Sequence, residues 1–122
     1  MQNGLPLANW KNRISLLFGR LIGFRVAGNS MSPTLEDGAA VLIKPLTDFH
    51  IGDIVLANHP FKQSVRILKR IRTISPEGTY YLTGDNPAES TDSRSFGSIQ
   101  GKDMIGKAVC RFEIVESVFM SL

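Results

Sequence analysis

The chain is 122 residues long, close to the roughly 100–150 residues at which one domain folds around its own core. With 43% hydrophobic and 20% charged residues it has the make-up of a globular protein and not of a disordered tail. Cys110 as the sole cysteine and only His50 and His59 exclude disulfide-framework and zinc-finger classes. The net charge of +3 is uneven, because Lys11, Arg13, Arg20 and Arg25 all precede the first acid, Glu36, while the remaining ten bases and eleven acids nearly cancel. The body carries no field strong enough to argue nucleic-acid binding, and the basic start reads as a contact for a membrane surface or a partner.

The first apolar stretch, Ile14 to Phe24, is 11 residues long and contains Arg20, well short of the roughly 20 residues that span a bilayer. It ends in Phe24-Arg25 with no small-residue cleavage site, so it fits a signal peptide poorly. Ile14, Leu17, Phe18, Leu21 and Ile22 recur at offsets of three and four, which predicts a short amphipathic helix weakened by Gly19 and Gly23. Residues 1–23 are thus expected to form a basic amphipathic segment, and residues 24–122 a β-domain. The helix either packs on that domain or makes peripheral membrane contact through residues 10–24.

After Arg25 the pattern turns to short β-like runs: Ala39 to Ile43, Ile54 to Ala57, Val65 to Thr73, Thr79 to Leu82 and Ile105 to Phe112. Turn chemistry separates them at Glu36-Asp37-Gly38, Pro45, Gly52-Asp53, Pro60, Pro76-Glu77-Gly78 and Gly84-Asp85-Asn86-Pro87. A mostly-β fold with several short strands is predicted. Ser90 to Gly101, with four serines and no alternation, is expected to be a loop of the kind on which site residues are mounted.

Along the strand Val65 to Thr73, Lys69 shares the apolar row of Val65, Ile67 and Ile71, while Arg66, Leu68, Arg70 and Arg72 face the other way. A lysine on a core-facing row loses hydration, which favours the neutral amine and makes it a general base. The alternative is a sheet-edge lysine whose ammonium reaches water. Such a base needs a nucleophile, and Gly28-Asn29-Ser30-Met31-Ser32-Pro33-Thr34-Leu35 offers serines in a turn that Gly28 opens and Pro33 stiffens. Those serines equally suit hydrogen bonds within their own turn.

Ser30-Met31-Ser32-Pro33-Thr34-Leu35, Gly52-Asp53-Ile54-Val55, Lys69-Arg70-Ile71 and Gly84-Asp85-Asn86 leading to Ser90-Thr91-Asp92-Ser93-Arg94 resemble, in order and spacing, the motif series of the type I signal peptidase family. The resemblance implies Ser30 as nucleophile, Lys69 as general base and Ser90 as the hydroxyl that orients the lysine. It also implies structural ion pairs Arg70–Asp85 and Asp92–Arg94, and an oxyanion donor in the Ser30 N–H. Many relatives add a serine hydroxyl two positions before the nucleophile, where this chain has Gly28.

The loop from Gly84 to Gly97 looks most like the branch of small bacterial, cytoplasmic nickel-type superoxide dismutase maturation proteases. That likeness implies a dismutase proenzyme as substrate, with no cofactor or metal in the protease itself. The alternatives are a general signal peptidase or an inner-membrane-type peptidase acting on exported precursors. A self-cleaving repressor-type protease would need a cleavable bond on a long upstream arm, and Ala27-Gly28 lies too close to Ser30. A nucleic-acid-binding barrel using Arg66, Lys69, Arg70 and Arg72 would interleave stacking aromatics, which this strand lacks.

Overall fold

The structure is a computed structural model that describes residues 4–6, 21–45 and 48–112. Six strands form one antiparallel sheet: β1 (Ile22–Arg25), β2 (Ala40–Pro45), β3 (Ile54–Asn58), β4 (Arg66–Ile74), β5 (Tyr80–Thr83) and β6 (Met104–Phe112). Their order in space is β1-β2-β6-β3-β4-β5, so the last strand inserts between two of the first three. The predicted runs from Ala39 onward all become strands, with ends moved by a residue or two.

Both faces of the sheet are covered. Val41 and Ile43 of β2, Ile54 and Leu56 of β3, and Leu68 of β4 pack against Val26, Met31 and Leu35 on one side. On the other, Val55 and Ala57 of β3, Ile71 of β4 and Leu82 of β5 pack against Ile99. Burial on both faces explains why β2 and β3 read as continuous apolar runs without alternation. The first cluster draws in Met31 and Leu35 from the turn that holds Ser30, so the core itself anchors that turn.

Two local expectations change. Ile22 and Gly23, which the helical stripe takes in or adjoins, open β1 and pair with Ile43 and Leu42. Pairing with β2 satisfies the backbone groups that this edge strand turns towards it, and this tertiary gain overrides the weak helical signal around Gly23. Ile14, Leu17 and Phe18 lie outside the described residues. The serine-rich segment is not wholly irregular: Asp92 caps a one-turn helix, α1 (Ser93–Phe96), and buried Ile99 exchanges backbone hydrogen bonds with Tyr80 at 2.8 and 2.7 Å.

Gly106 sits where β2, β6 and β3 meet, opposite Pro45 and Leu56. A Cβ there would lie 2.5 Å from the Lys44 carbonyl oxygen and 2.7 Å from Ile43 Cγ2. Gly106→Ala is therefore expected to destabilise the domain by about 1–3 kcal/mol in urea unfolding. Gly23→Ala, with nothing within 4 Å of its Cβ position, should not.

Candidate active site

β4 lies between β3 and β5, so Lys69 is not on a sheet edge. It stands opposite Val55 and is only 6% exposed. Burial pushes its pKa below the ordinary lysine value, Asp92 partly opposes that shift, and the charge of Arg94 adds to it. Its Nζ donates to Ser90 Oγ at 3.1 Å. Ser90 Oγ in turn donates to Asp92 Oδ2 at 2.6 Å. The Ser90 hydrogen is committed to the carboxylate, so towards the lysine Ser90 acts as acceptor, and the lone pair of a neutral amine is left for another partner.

Asp92 is fully buried. Its Oδ1 accepts from the Arg94 backbone N–H (3.1 Å) and Nε (2.9 Å). Its Oδ2 accepts from Ser90 Oγ, the Gly84 N–H (2.9 Å) and Arg94 Nη2 (3.0 Å). Burial alone would raise the carboxyl pKa, but the hydrogen bonds from Arg94, Ser90 and Gly84 hold it far below the usual range. The group is an anion at every working pH, and it fixes Ser90, the end of β5 and the start of α1 relative to one another.

A second ion pair holds the turn of Ser30. Arg70 grips Asp85 through Nε (2.9 Å) and Nη2 (2.8 Å), and Arg70 Nη1 donates to the Gly52 carbonyl at 2.7 Å. Thr34 Oγ1 donates to Asp85 Oδ2 at 2.6 Å, which ties residues 28–35 to β4 and to the end of β5. Asn86 adds two bonds, from its N–H to the Ser30 carbonyl (2.8 Å) and from its side-chain amide to the Asn29 carbonyl (3.1 Å).

Ser30 and Lys69 line one cleft of about 120 Å³ with Phe24, Val26, Ala27, Arg66, Ile67 and Leu68. Ser32 does not line it, and its hydroxyl donates to Glu36 within the turn. Ser30 Oγ makes no hydrogen bond with the described residues, and the lysine bond seen is to Ser90. Serine–base bonds are commonly long without substrate and tighten in the complex. Gly84 closes the arrangement, since a Cβ there would lie 2.3 Å from Ser90 Oγ and 2.5 Å from the Ser30 carbonyl oxygen.

Motif spacing thus names residues that the fold brings together, but it passes over several others. Thr34 and Gly84 stand inside quoted motifs with no role assigned. Ser93, 3% exposed, accepts from the Leu82 N–H at 2.9 Å, and nothing in a run of four serines marks it out. Phe24 and Arg66 meet across the cleft, with the guanidinium carbon 5.9 Å from the ring centre.

The chain matches the Peptidase S24-like family over residues 15–109, a span that holds Ser30, Lys69, Ser90 and both ion pairs. It belongs to that peptidase family. Among relatives of this S24-like chain, mitochondrial inner membrane protease subunit 1 of Xenopus tropicalis is 32% identical over 114 residues, covering 75% of this chain and 68% of the relative. The Mus musculus protein of the same name is 31% identical over 96 residues, covering 60% and 58%. Mitochondrial ATP-independent inner membrane protease subunit 1a of Arabidopsis thaliana is 30% identical over 112 residues, covering 70% and 67%.

A signal-peptidase-like peptidase is therefore correct at the level of the family. The relatives, from two animals and a plant, lend nothing to the nickel-dismutase branch or to a bacterial, cytoplasmic setting. Among the described residues no helix is long and apolar enough to cross a membrane.

Two outcomes follow for this S24-like domain. Gly84→Ala should lower both turnover and the denaturation midpoint, because its Cβ displaces the Ser30 carbonyl and Ser90 and disturbs the N–H that the buried Asp92 accepts. Lys69→Met should raise stability in chemical denaturation. The folded-state lysine pKa lies below its unfolded value of 10.5, so wild-type stability falls as pH drops from that value towards the folded pKa. The advantage of Lys69→Met should widen over the same window.

Proposed function

We propose that the chain is a serine endopeptidase in which Ser30 is the nucleophile and Lys69 the general base, and that it removes an N-terminal segment from a precursor protein in the manner of inner-membrane-type peptidases. The observation that carries this reading is a lysine buried beneath the cleft that Ser30 lines, with its amine positioned by a hydroxyl whose own hydrogen is held elsewhere.

In this reading the neutral Lys69 amine takes the proton of Ser30 Oγ as that oxygen attacks the scissile carbonyl carbon. Lys69 then returns the proton to the leaving amine, which frees the new N-terminus and leaves an acyl-enzyme on Ser30. The same amine next accepts a proton from water as the hydroxyl attacks the ester, and the carboxylic product departs with Ser30 Oγ reprotonated. The Ser30 N–H donates to none of the described residues and serves as oxyanion donor. The Gly28 N–H is already given to Asp37 at 2.7 Å, and Gly28 has no hydroxyl to add.

Phe24 to Ala27 on one side and Arg66 to Leu68 on the other suit an extended polypeptide. The small volume of the cleft, about 120 Å³, favours small side chains beside the cut. The names of the relatives favour the inner-membrane-type alternative over a nickel-type superoxide dismutase proenzyme, and no feature of the cleft is particular to a dismutase precursor.

With precursor peptides as substrates and product N-termini read by mass spectrometry, Ser30→Ala should abolish cleavage while Ser32→Ala retains most of it. Turnover by Ser30→Ala at the wild-type rate overturns the assignment. The acid limb of kcat should titrate below the ordinary lysine value, since cleavage needs the neutral amine. Lys69→Arg should be inactive throughout, because guanidinium stays protonated.

A further inference from the structure

A second cleft, of about 320 Å³, is lined by Arg72, Tyr81, Thr83, Gly84, Pro87 and Arg94. It shares no residue with the Ser30–Lys69 cleft. One of its walls is Gly84, the same backbone that lies against the Ser30 carbonyl and Ser90. The pairing of β4 with β5 builds it: Arg70 stands opposite Thr83 and Thr73 opposite Tyr81. A bulge between Ile71 and Thr73 leaves Arg72 with no ladder partner, and bulges of this kind re-aim side chains.

The lining is cationic and rich in donors. Arg72 makes no hydrogen bond or ion pair with the described residues. Arg94 spends Nε and Nη2 on Asp92 and on the carbonyls of Pro87 and Ser90, and its Nη1 donates to none of the described residues. The hydroxyls of Tyr81 and Thr83 also form no hydrogen bond with them. No carboxylate lines the cleft, and Asp92, behind Arg94, is buried and saturated with donors. A carboxylate offers two oxygens to this set of donors, whereas a phosphate offers three or four around one centre.

We propose that this cleft binds an oxyanion of the phosphate class, held by Arg72, the Nη1 of Arg94 and the hydroxyls of Tyr81 and Thr83. The two sources of that chemistry are dissolved phosphate and the headgroup of an anionic phospholipid. Binding reaches the catalytic lysine through Arg94, whose positive charge helps to keep the Lys69 amine neutral. A phosphate beside Arg94 offsets that charge, so Lys69 keeps its proton to higher pH and cleavage slows at a given pH.

The test titrates the full chain with inorganic phosphate at constant ionic strength and follows amide shifts by NMR. Saturable shifts at Thr83, Gly84 and Arg94 are expected, with about tenfold or weaker binding in Arg72→Gln, the loss expected for removing charge-assisted hydrogen bonds. Arg72 is exposed, so this variant should fold, and Tyr81→Phe, which removes only a hydroxyl, should weaken binding to a smaller degree. This readout does not depend on peptidase activity and stands if the Ser30 and Lys69 assignment fails. In a cleavage assay phosphate should move the acid limb of the wild type to higher pH and leave that of Arg72→Gln in place.

Flotation with phosphatidylcholine vesicles, with and without phosphatidic acid, separates the sources. Recruitment by phosphatidic acid that needs Arg72 and is reversed by phosphate supports the site with a headgroup as its ligand. Saturable phosphate binding without recruitment supports it with dissolved phosphate. Linear, unsaturated shifts, affinity unchanged in Arg72→Gln, or binding of acidic peptides but not of phosphate each overturns the proposal.

Discussion

The buried carboxylate of Asp92 is the constraint on which the site depends. An unpaired buried anion would cost several kcal/mol, so its surroundings must supply donors in fixed directions, and five do. They come from Gly84, the residue after β5, from Ser90, and from the backbone and guanidinium of Arg94 at the start of α1. No one of these elements can shift without stranding a charge. A short, serine-rich connection with little apolar surface becomes a rigid mount in this way.

Lys69 gains its chemistry from the opposite condition. It stands in the middle of β4, flanked by strands on both sides, with Val55 opposite and Ile67 and Ile71 on its own row. Desolvation favours the neutral amine, and Ser90 gives that amine a single acceptor. Arg70, the next residue on the strand, faces the other way and holds Asp85, which holds Thr34 in the turn of Ser30. Two consecutive residues of one strand thus carry the buried amine and the clamp on the Ser30 turn, because a strand sends neighbouring side chains to opposite faces.

Gly84 is where these constraints meet. Its N–H feeds Asp92, its missing side chain admits Ser30 and Ser90, and its backbone forms a wall of the second, cationic cleft. Arg94 stands in the same double position, holding Asp92 with one edge of its guanidinium and lining that cleft. An anion there would sense and alter the same electrostatic balance that sets the lysine.

The sequence by itself determined five of the six strands, because runs such as Val65 to Thr73 and Ile54 to Ala57 combine β-branched residues with turn chemistry on either side. It also determined the row on which Lys69 lies, since period-two alternation needs no tertiary knowledge. Motif order pointed to Ser30, Ser90 and the four charges Arg70, Asp85, Asp92 and Arg94. Only the tertiary structure decided the rest. β1 is a strand because β2 is there to pair with it, and four residues around Gly23 carry no such signal alone. Whether Lys69 is at an edge or interior depended on β5 closing the far side of β4, a pairing set by chain topology. That Ser30 and not Ser32 lines the cleft depended on Met31 and Leu35 being drawn into the core and on Glu36 taking the Ser32 hydroxyl. Local periodicity records which way a side chain points, and only packing between distant segments decides what it meets there.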